Sequence, residues 1–236
     1  ITGAIFGGVI GSGYTTSVSD TKIFNNTFYK NRTGATINGV TTIGGTAVST
    51  IADVYGGEVH FQNSSGITFK NNILYATTGK KAFLASYGYT ISNFVSNYNL
   101  YYREGNTDFI IDLTGVSFNG SSVTGSYNAA QFATATGQDV NSVVGLPGFV
   151  NAAIFDFSLV SGAFAADKGD TTYNATYSGT LDFDDNNRKR NGRIDIGCSE
   201  LQTGSTAKSA ATAKNTEEIA PTFAVFPNPA SDVITI

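Results

Sequence analysis

The sequence has no methionine and no tryptophan, and it holds one cysteine, one histidine and four prolines in 236 residues. A single cysteine, Cys198, excludes an intrachain disulfide; in a strand-like setting it is a packing residue. A single histidine, His60, leaves no Cys/His spacing for zinc and no partners for a nucleophilic triad. Charged residues make up 14% of the chain with a net charge of -4, against roughly 25% charged in ordinary soluble proteins. This acidic, sparsely charged chain lacks the electrostatic footprint of a nucleic-acid binder. Its dense basic run, Arg188-Lys189-Arg190, is set among Asp and Asn and reads as a solvated turn. No apolar run approaches the roughly 18 residues that span a bilayer as a helix, so the chain is expected not to span a membrane. With no methionine and no signal peptide, a chain opening at Ile1 inside strand-like sequence reads as a fragment or processed product.

What is present suits an all-β protein. Hydrophobic residues reach 41%, with 27 glycines, 12 tyrosines and 17 phenylalanines; Asn, Ser and Thr fill the remainder, residues of turns and outward strand faces. One stretch recurs. Ile23-Phe24-Asn25-Asn26-Thr27-Phe28-Tyr29 returns as Phe69-Lys70-Asn71-Asn72-Ile73-Leu74-Tyr75, and more loosely as Val95-Ser96-Asn97-Tyr98-Asn99-Leu100-Tyr101. A repeat that returns every few tens of residues indicates units that must stack to bury their apolar faces. In this alignment Ile23, Phe69 and Val95 form one interior column, and Phe28, Leu74 and Leu100 another. Asn26 and Asn72 fall at the bend between strands, where Asn tolerates the left-handed conformation. Stacked amides about 4.8 Å apart can bond one another in a ladder.

Along the rest of the chain, Gly3–Gly13 is a run of structural glycines without a phosphate-loop or dinucleotide spacing. Residues 37–56 are an irregular loop. Glu58-Val59-His60-Phe61-Gln62 alternates, with Val59 and Phe61 inward. Phe109–Leu113, Phe155–Val160 and Asp195–Leu201 are strand-like, and Asn128–Ala133 is the credible short helix. Residues 202–222 lose apolar content and form a linker, and 223–236 are strand-like again.

The repeats resemble the "I-x-N-N-x-F" coils of the right-handed parallel β-helix (pectate-lyase-like) superfamily of secreted proteins. The closing pattern Leu159-Val160-Ser161-Gly162, Asp167-Lys168-Gly169-Asp170, Asp182-Phe183-Asp184, Arg188 and Asp195-Ile196-Gly197-Cys198-Ser199-Glu200 resembles that family's cap. Cys198 and Ser199 replace the usual small and aromatic residues, and Ala163-Phe164 stand where Ser-Pro is usual. The resemblance implies an all-β, right-handed parallel β-helix solenoid with a C-terminal β cap over residues 1–201. The family spans lyases, hydrolases, epimerases and non-enzymes. A second resemblance covers 223–236: Phe226-Pro227-Asn228-Pro229 and the following alternating strand resemble the opening of the β-sandwich sorting domain of type IX secretion substrates. It implies export across the outer membrane of a Bacteroidota-type bacterium, with the secretion translocon as partner.

Family lyases abstract a proton α to a uronic carboxylate, using a basic side chain and often Ca²⁺. Glu58, His60 and Lys70 are the expected outward-facing candidates for that role, with Lys80, Lys81 and Arg103 able to reach the same side. Otherwise no cofactor is expected. Asp182-Phe183-Asp184-Asp185-Asn186 has a Ca²⁺-like D-x-D-x-N pattern, but its twelfth position is Arg193 rather than Glu, which favours turn chemistry with an Arg188 pairing. A paired-carboxylate glycosidase site is not evident on the repeats. Tyr29, Tyr75 and Tyr101 share an outward column, either a platform for a polysaccharide or surface glycan or packing beneath lateral loops. Two functional classes follow: a glycan-contacting protein or adhesin, serving attachment or gliding, and a polysaccharide lyase-like enzyme working by β-elimination.

Overall fold

The structure is a computed structural model that describes residues 8–10, 18–31, 41–43, 46–48, 57–61, 63–86, 90–106, 108, 110–172 and 179–202. The chain divides into two compact units, Ile1–Thr203 and Gly204–Ile236. The described residues belong to the first; the expected linker beyond residue 202 and the strand at 223–236 lie outside them.

The described unit is mostly strand. Its first round of chain contains β1 (Gly8–Ile10), β2 (Val18–Ser19), β3 (Lys22–Phe24) and β4 (Thr27–Tyr29), and the region expected to be a loop holds an antiparallel hairpin, β5 (Thr41–Ile43) and β6 (Thr46–Val48). The same four-strand order then repeats as β7 (Gly57–Phe61), β8 (Ser64–Ser65), β9 (Thr68–Lys70) and β10 (Ile73–Ala76), and again as β11 (Lys81–Ser86), β12 (Thr90–Ser92), β13 (Val95–Asn97) and β14 (Leu100–Arg103). A long strand, β15 (Ile111–Phe118), pairs with both β11 and β12. Equivalent strands of successive rounds pair in parallel. The first sheet runs β1-β7-β11-β15-β12-β8-β2, the second β13-β9-β3, and the third β17-β14-β10-β4, where β17 is Val143–Val144.

The register corrects the sequence alignment at the third copy. Ile23 pairs with Phe69, and Phe69 with Ser96 rather than Val95. Phe28 pairs with Leu74, and Leu74 with Tyr101 rather than Leu100. The third copy is therefore Ser96–Tyr102, one residue later than expected. In a strand a one-residue slip exchanges the two faces: Tyr101 turns inward, and Tyr102 joins Tyr29 and Tyr75. Val95 is 48% exposed and Ser96 is buried. The slip is fixed by asparagine. Asn72 Oδ1 accepts the backbone N–H of Asn26 at 3.0 Å and its amide at 3.2 Å. Asn99 Oδ1 accepts the same pair from Asn72 at 2.9 and 3.2 Å. Each ladder residue follows one with left-handed backbone, Asn25, Asn71 and Tyr98, at φ 55°, 57° and 56°. The bend and the ladder are thus adjacent positions, and the repeated Asn-Asn serves one each. The ladder ends at Asp139, which accepts from Asn99 Nδ2 at 2.9 Å.

Past β15 the chain reverses through Asn119-Gly120, with φ 47° and 83°. This is the two-residue turn that closes hairpins, and it makes β16 (Ser121–Tyr127) antiparallel to β15. The expected helix is α1 (Ala129–Thr136), with Asn128 and Gln131 forming a reciprocal capping box, the arrangement that satisfies free helix-start N–H groups.

Two apolar clusters divide the unit. Val59, Phe61, Phe69, Phe83, Phe94, Phe118 and Phe132 lie at the centre of the interior one. The second lies on the outer face of the third sheet, where Tyr29, Ile73, Tyr75 and Leu100 meet Leu159, Ala163, Ala165 and Ile196. The closing segment thus flanks the third sheet, which is buried on both faces, as parallel sheets generally are. Within it, β18 (Phe149–Asn151) and β19 (Asp156–Leu159) form a hairpin; Asp195–Leu201, expected as a strand, is a loop tied by side chains.

Candidate functional site

The expected catalytic trio does not converge. On β7, Val59 and Phe61 face the core as expected, but Glu58 and His60 are buried too, at 0% and 4% exposure. For Glu58 the reason is tertiary. As the chain leaves β4, Asn31 lies over the start of β7: its backbone N–H donates to Glu58 Oε2 at 2.8 Å, and its amide to Glu58 O at 3.4 Å. Alternation places a side chain on the outer face; it does not say what covers that face. Burial pushes the Glu58 carboxyl up to about 8, against the lowering effect of the Asn31 N–H, so near neutral pH it is largely protonated. Lys70 lies on β9, in the second sheet. Its Nζ is 2.8 Å from Asp170 Oδ2, and Asp170 N–H donates to Asn71 Oδ1 at 2.7 Å. Lys70 therefore fastens the closing segment to the sheet.

The tyrosine column also changes. Tyr29, Tyr75 and Tyr102 form a column of mutually tilted rings, with centroids 4.7 Å apart at each step. They do not present a free platform. Tyr29 and Tyr75 are each 9% exposed, with Phe149 beside both and Phe157 5.2 Å from Tyr29. Lys30 Nζ lies 5.4 and 5.6 Å from the two ring centroids and 2.6 Å from Glu104, which also accepts from Tyr75 OH. Tyr101 is fully buried and donates to Asp139 Oδ2 at 2.9 Å. Of the two expectations for this column, packing beneath a lateral segment describes Tyr29 and Tyr75, and Tyr101 belongs to the interior.

Asp139 takes four donors: Ser96 Oγ and Tyr101 OH on Oδ2, Asn99 Nδ2 and Ser142 Oγ on Oδ1. Burial raises its pKa against all four. A cleft of about 490 Å³ between α1 and residues 139–144 is lined by Asp139, Ser142, Val140 and Val144, but this carboxylate is already committed to the protein. In the acidic turn, Asp182 Oδ1 accepts from the N–H groups of Asp184 and Asn186 at 2.9 and 2.8 Å, and Oδ2 from Glu200 N–H at 2.8 Å. That is turn chemistry. Arg188 donates to the carbonyls of Gly197 and Cys198 at 2.9 and 2.7 Å rather than to the aspartates. Among the described residues no group of three or more His, Cys, Asp or Glu is placed to hold a metal ion, and no helix is long and apolar enough to cross a membrane.

Of Lys80, Lys81 and Arg103, Arg103 is held by backbone carbonyls, those of Asn106 and Asp108 among them. Arg103 reaches Lys80 O at 3.5 Å. Lys81 Nζ is 3.7 Å from Asp112 Oδ2 and 3.1 Å from Ser126 Oγ, which donates to Asp112 at 3.0 Å. Burial lowers the Lys81 pKa, with Asp112 opposing and Arg103 adding to the lowering. Asp112 and Ser126 carry no sequence signal: they meet Lys81 only because β15 pairs with β11 and β16 on either side.

No family model matches the chain, and neither does any curated protein or solved structure.

Proposed function

We propose that the chain is a secreted or cell-surface protein built on a right-handed parallel β-helix, a rigid adhesive scaffold that contacts glycan. In this reading it is exported as a type IX secretion substrate, with Phe226, Pro227, Asn228 and Pro229 read by the outer-membrane translocon. The observation that carries the scaffold half is the in-register run of parallel strands joined by the Asn26–Asn72–Asn99 ladder. Such stacking yields a stiff, extendable rod. The polar groups expected to do chemistry support the same reading, because Glu58, Lys70 and Tyr101 are engaged in holding the fold. The export half rests on the sequence resemblance. Its test is deletion of residues 223–236 in the native secreting host: the truncated protein should accumulate in the periplasm, and normal export would refute the assignment.

A lyase-like enzyme is the second reading, favoured by Lys81, which lies against Asp112 and Ser126 with the charge of Arg103 close enough to act on it. A lysine of lowered pKa beside an arginine is the pairing needed to remove a proton next to a carboxylate. Incubation with uronate polysaccharides and Ca²⁺, following the absorbance of unsaturated product, decides it: product that disappears in Lys81→Met would establish the enzyme, and no product on a broad panel would remove it.

A further inference from the structure

The buried tyrosine column has an exposed end. From Tyr102 and Tyr75 the aromatic contacts run to Tyr29, then to Phe157 at 5.2 Å, and on to Phe155 at 6.3 Å with the rings edge to face. Phe155 sits at the tip of the β18–β19 hairpin and is 62% exposed; its neighbour Ile154 is 69% exposed. The backbone there is unusual. Phe155 has φ 61° and ψ 23°, a left-handed conformation that costs a residue with a bulky side chain about 1–2 kcal/mol and that glycine adopts freely. The tip thus holds a large ring outward, in a strained position where a smaller residue would be easier to place. Its root is fixed, since Phe149 and Phe157 pack on each other at 5.1 Å and on Tyr29.

We propose that Phe155, with Ile154 beside it, is a stacking site for the apolar face of a neutral sugar ring. This rests on the glycan-contacting reading above and moves its contact point from the covered tyrosines to the hairpin tip. The chemistry around the ring selects the ligand. Residues 149–159 contain no lysine or arginine, and their one charged residue is Asp156. Lys30 beyond Tyr29 is paired with Glu104, so the hairpin itself offers no cation to an anionic polymer. Asp156 Oδ1 accepts from Ser158 N–H at 3.1 Å, and Asn151 Oδ1 from Ala153 N–H at 3.2 Å. A carboxylate and a carboxamide therefore stand on either side of the tip in fixed orientations, with acceptor capacity remaining for hydroxyl groups. An aromatic face flanked by such acceptors matches a pyranose, which has apolar C–H faces and an equatorial rim of hydroxyls.

The test is affinity electrophoresis of the full chain through gels containing xylan, glucomannan or mixed-linkage β-glucan, with polygalacturonate as the anionic comparison. Phe155→Gly keeps the left-handed backbone and removes the ring, and Phe155→Trp keeps a ring. Retardation by at least one neutral polymer is expected for the parent and for Phe155→Trp. In Phe155→Gly the apparent affinity should fall at least tenfold, with the melting temperature unchanged or raised. Equal retardation of the parent and Phe155→Gly overturns this site and leaves glycan contact standing, as does retardation by polygalacturonate alone. No retardation by any polymer removes both. Ring-dependent binding to phosphatidylcholine vesicles without retardation in any gel would overturn the sugar in favour of a lipid surface.

Discussion

Asn99 Oδ1 accepts both the backbone N–H and the side-chain amide of Asn72, at 2.9 and 3.2 Å. Twenty-seven residues apart, these two side chains fix how one round of chain sits on the next. The Asn72 amide donates in addition to Ile23 O at 2.9 Å, and Asn99 Nδ2 to Phe69 O at 3.0 Å. Each asparagine thus also reaches back to a backbone carbonyl of the round before it.

Asp139→Asn should destabilise the unit sharply. Four donors converge on this carboxylate, and an amide replaces one acceptor oxygen by an NH₂ that faces donors. Leaving buried donors without partners costs about 1–3 kcal/mol each. A fall in denaturation midpoint of several degrees is expected; an unchanged midpoint would mean that the network does not terminate the ladder.

Glu58→Gln should flatten the dependence of stability on pH. The Glu58 carboxyl stands at about 8 in the fold against 4.5 as its ordinary value. A raised folded pKa means that the fold binds the proton more tightly than the unfolded chain does. Its contribution is therefore full below about pH 4.5 and is lost as pH rises through about 8. Glu200, also raised to about 8 by burial, acts in the same window, so the substitution should remove part of the slope. In urea titrations the variant should gain on the parent by a few kcal/mol, on the order of magnitude set by about 1.4 kcal/mol per pKa unit, between pH 5 and 9. A parallel pair of curves would count against the buried acid.

Gly197→Ala should loosen the closing segment. Gly197 has φ +105°, and a Cβ there would come 2.5 Å from Ile73 Cδ1 and 3.1 Å from Thr27 Oγ1. Its N–H donates to Asn71 O at 2.8 Å, so the backbone cannot retreat without losing that bond. Limited proteolysis should cut faster within residues 145–202, and the melting temperature should fall; cleavage at the parental rate would show that the close approach is not maintained.

Tyr75→Ala should cost stability and leave any polysaccharide retardation unchanged. Emptying a buried aromatic site costs about 3–5 kcal/mol, or roughly 10 °C at about 2–4 °C per kcal/mol for a unit of this size. Polysaccharide retardation below the new melting temperature should match the parent. A selective loss of retardation would restore the tyrosine column as the contact surface.

The repeat, the asparagine pair and the capped helix are legible in the sequence because each is local: Asn25-Asn26 and Asn71-Asn72 stand side by side, and Asn128 caps its helix through Gln131 three residues on. The third copy misleads because Tyr98 occupies the left-handed bend where Asn stands in the other two. Aligning Asn97 with Asn71 then appears natural and shifts every face by one. The hairpin turn Asn119-Gly120 is a local signal too, but it belongs to the antiparallel β15–β16 pair and not to the parallel repeat. The candidate site was far less legible. Glu58, Tyr29 and Tyr75 do alternate away from the core, but whether such a face meets water depends on Asn31, Phe149 and Phe157. Asn31 follows β4, and Phe149 and Phe157 lie on the β18–β19 hairpin, outside the repeat that carries the periodicity.

A double-mutant cycle on Asn72→Ala and Asn99→Ala, with stabilities from denaturant titration, tests the stacking register most directly. The ladder predicts a coupling energy of about 1–2 kcal/mol between the two sites, within the range found for residues in contact. Additive effects within about 0.3–0.5 kcal/mol would mean that Asn72 and Asn99 do not meet, and the stacked scaffold would have to be abandoned.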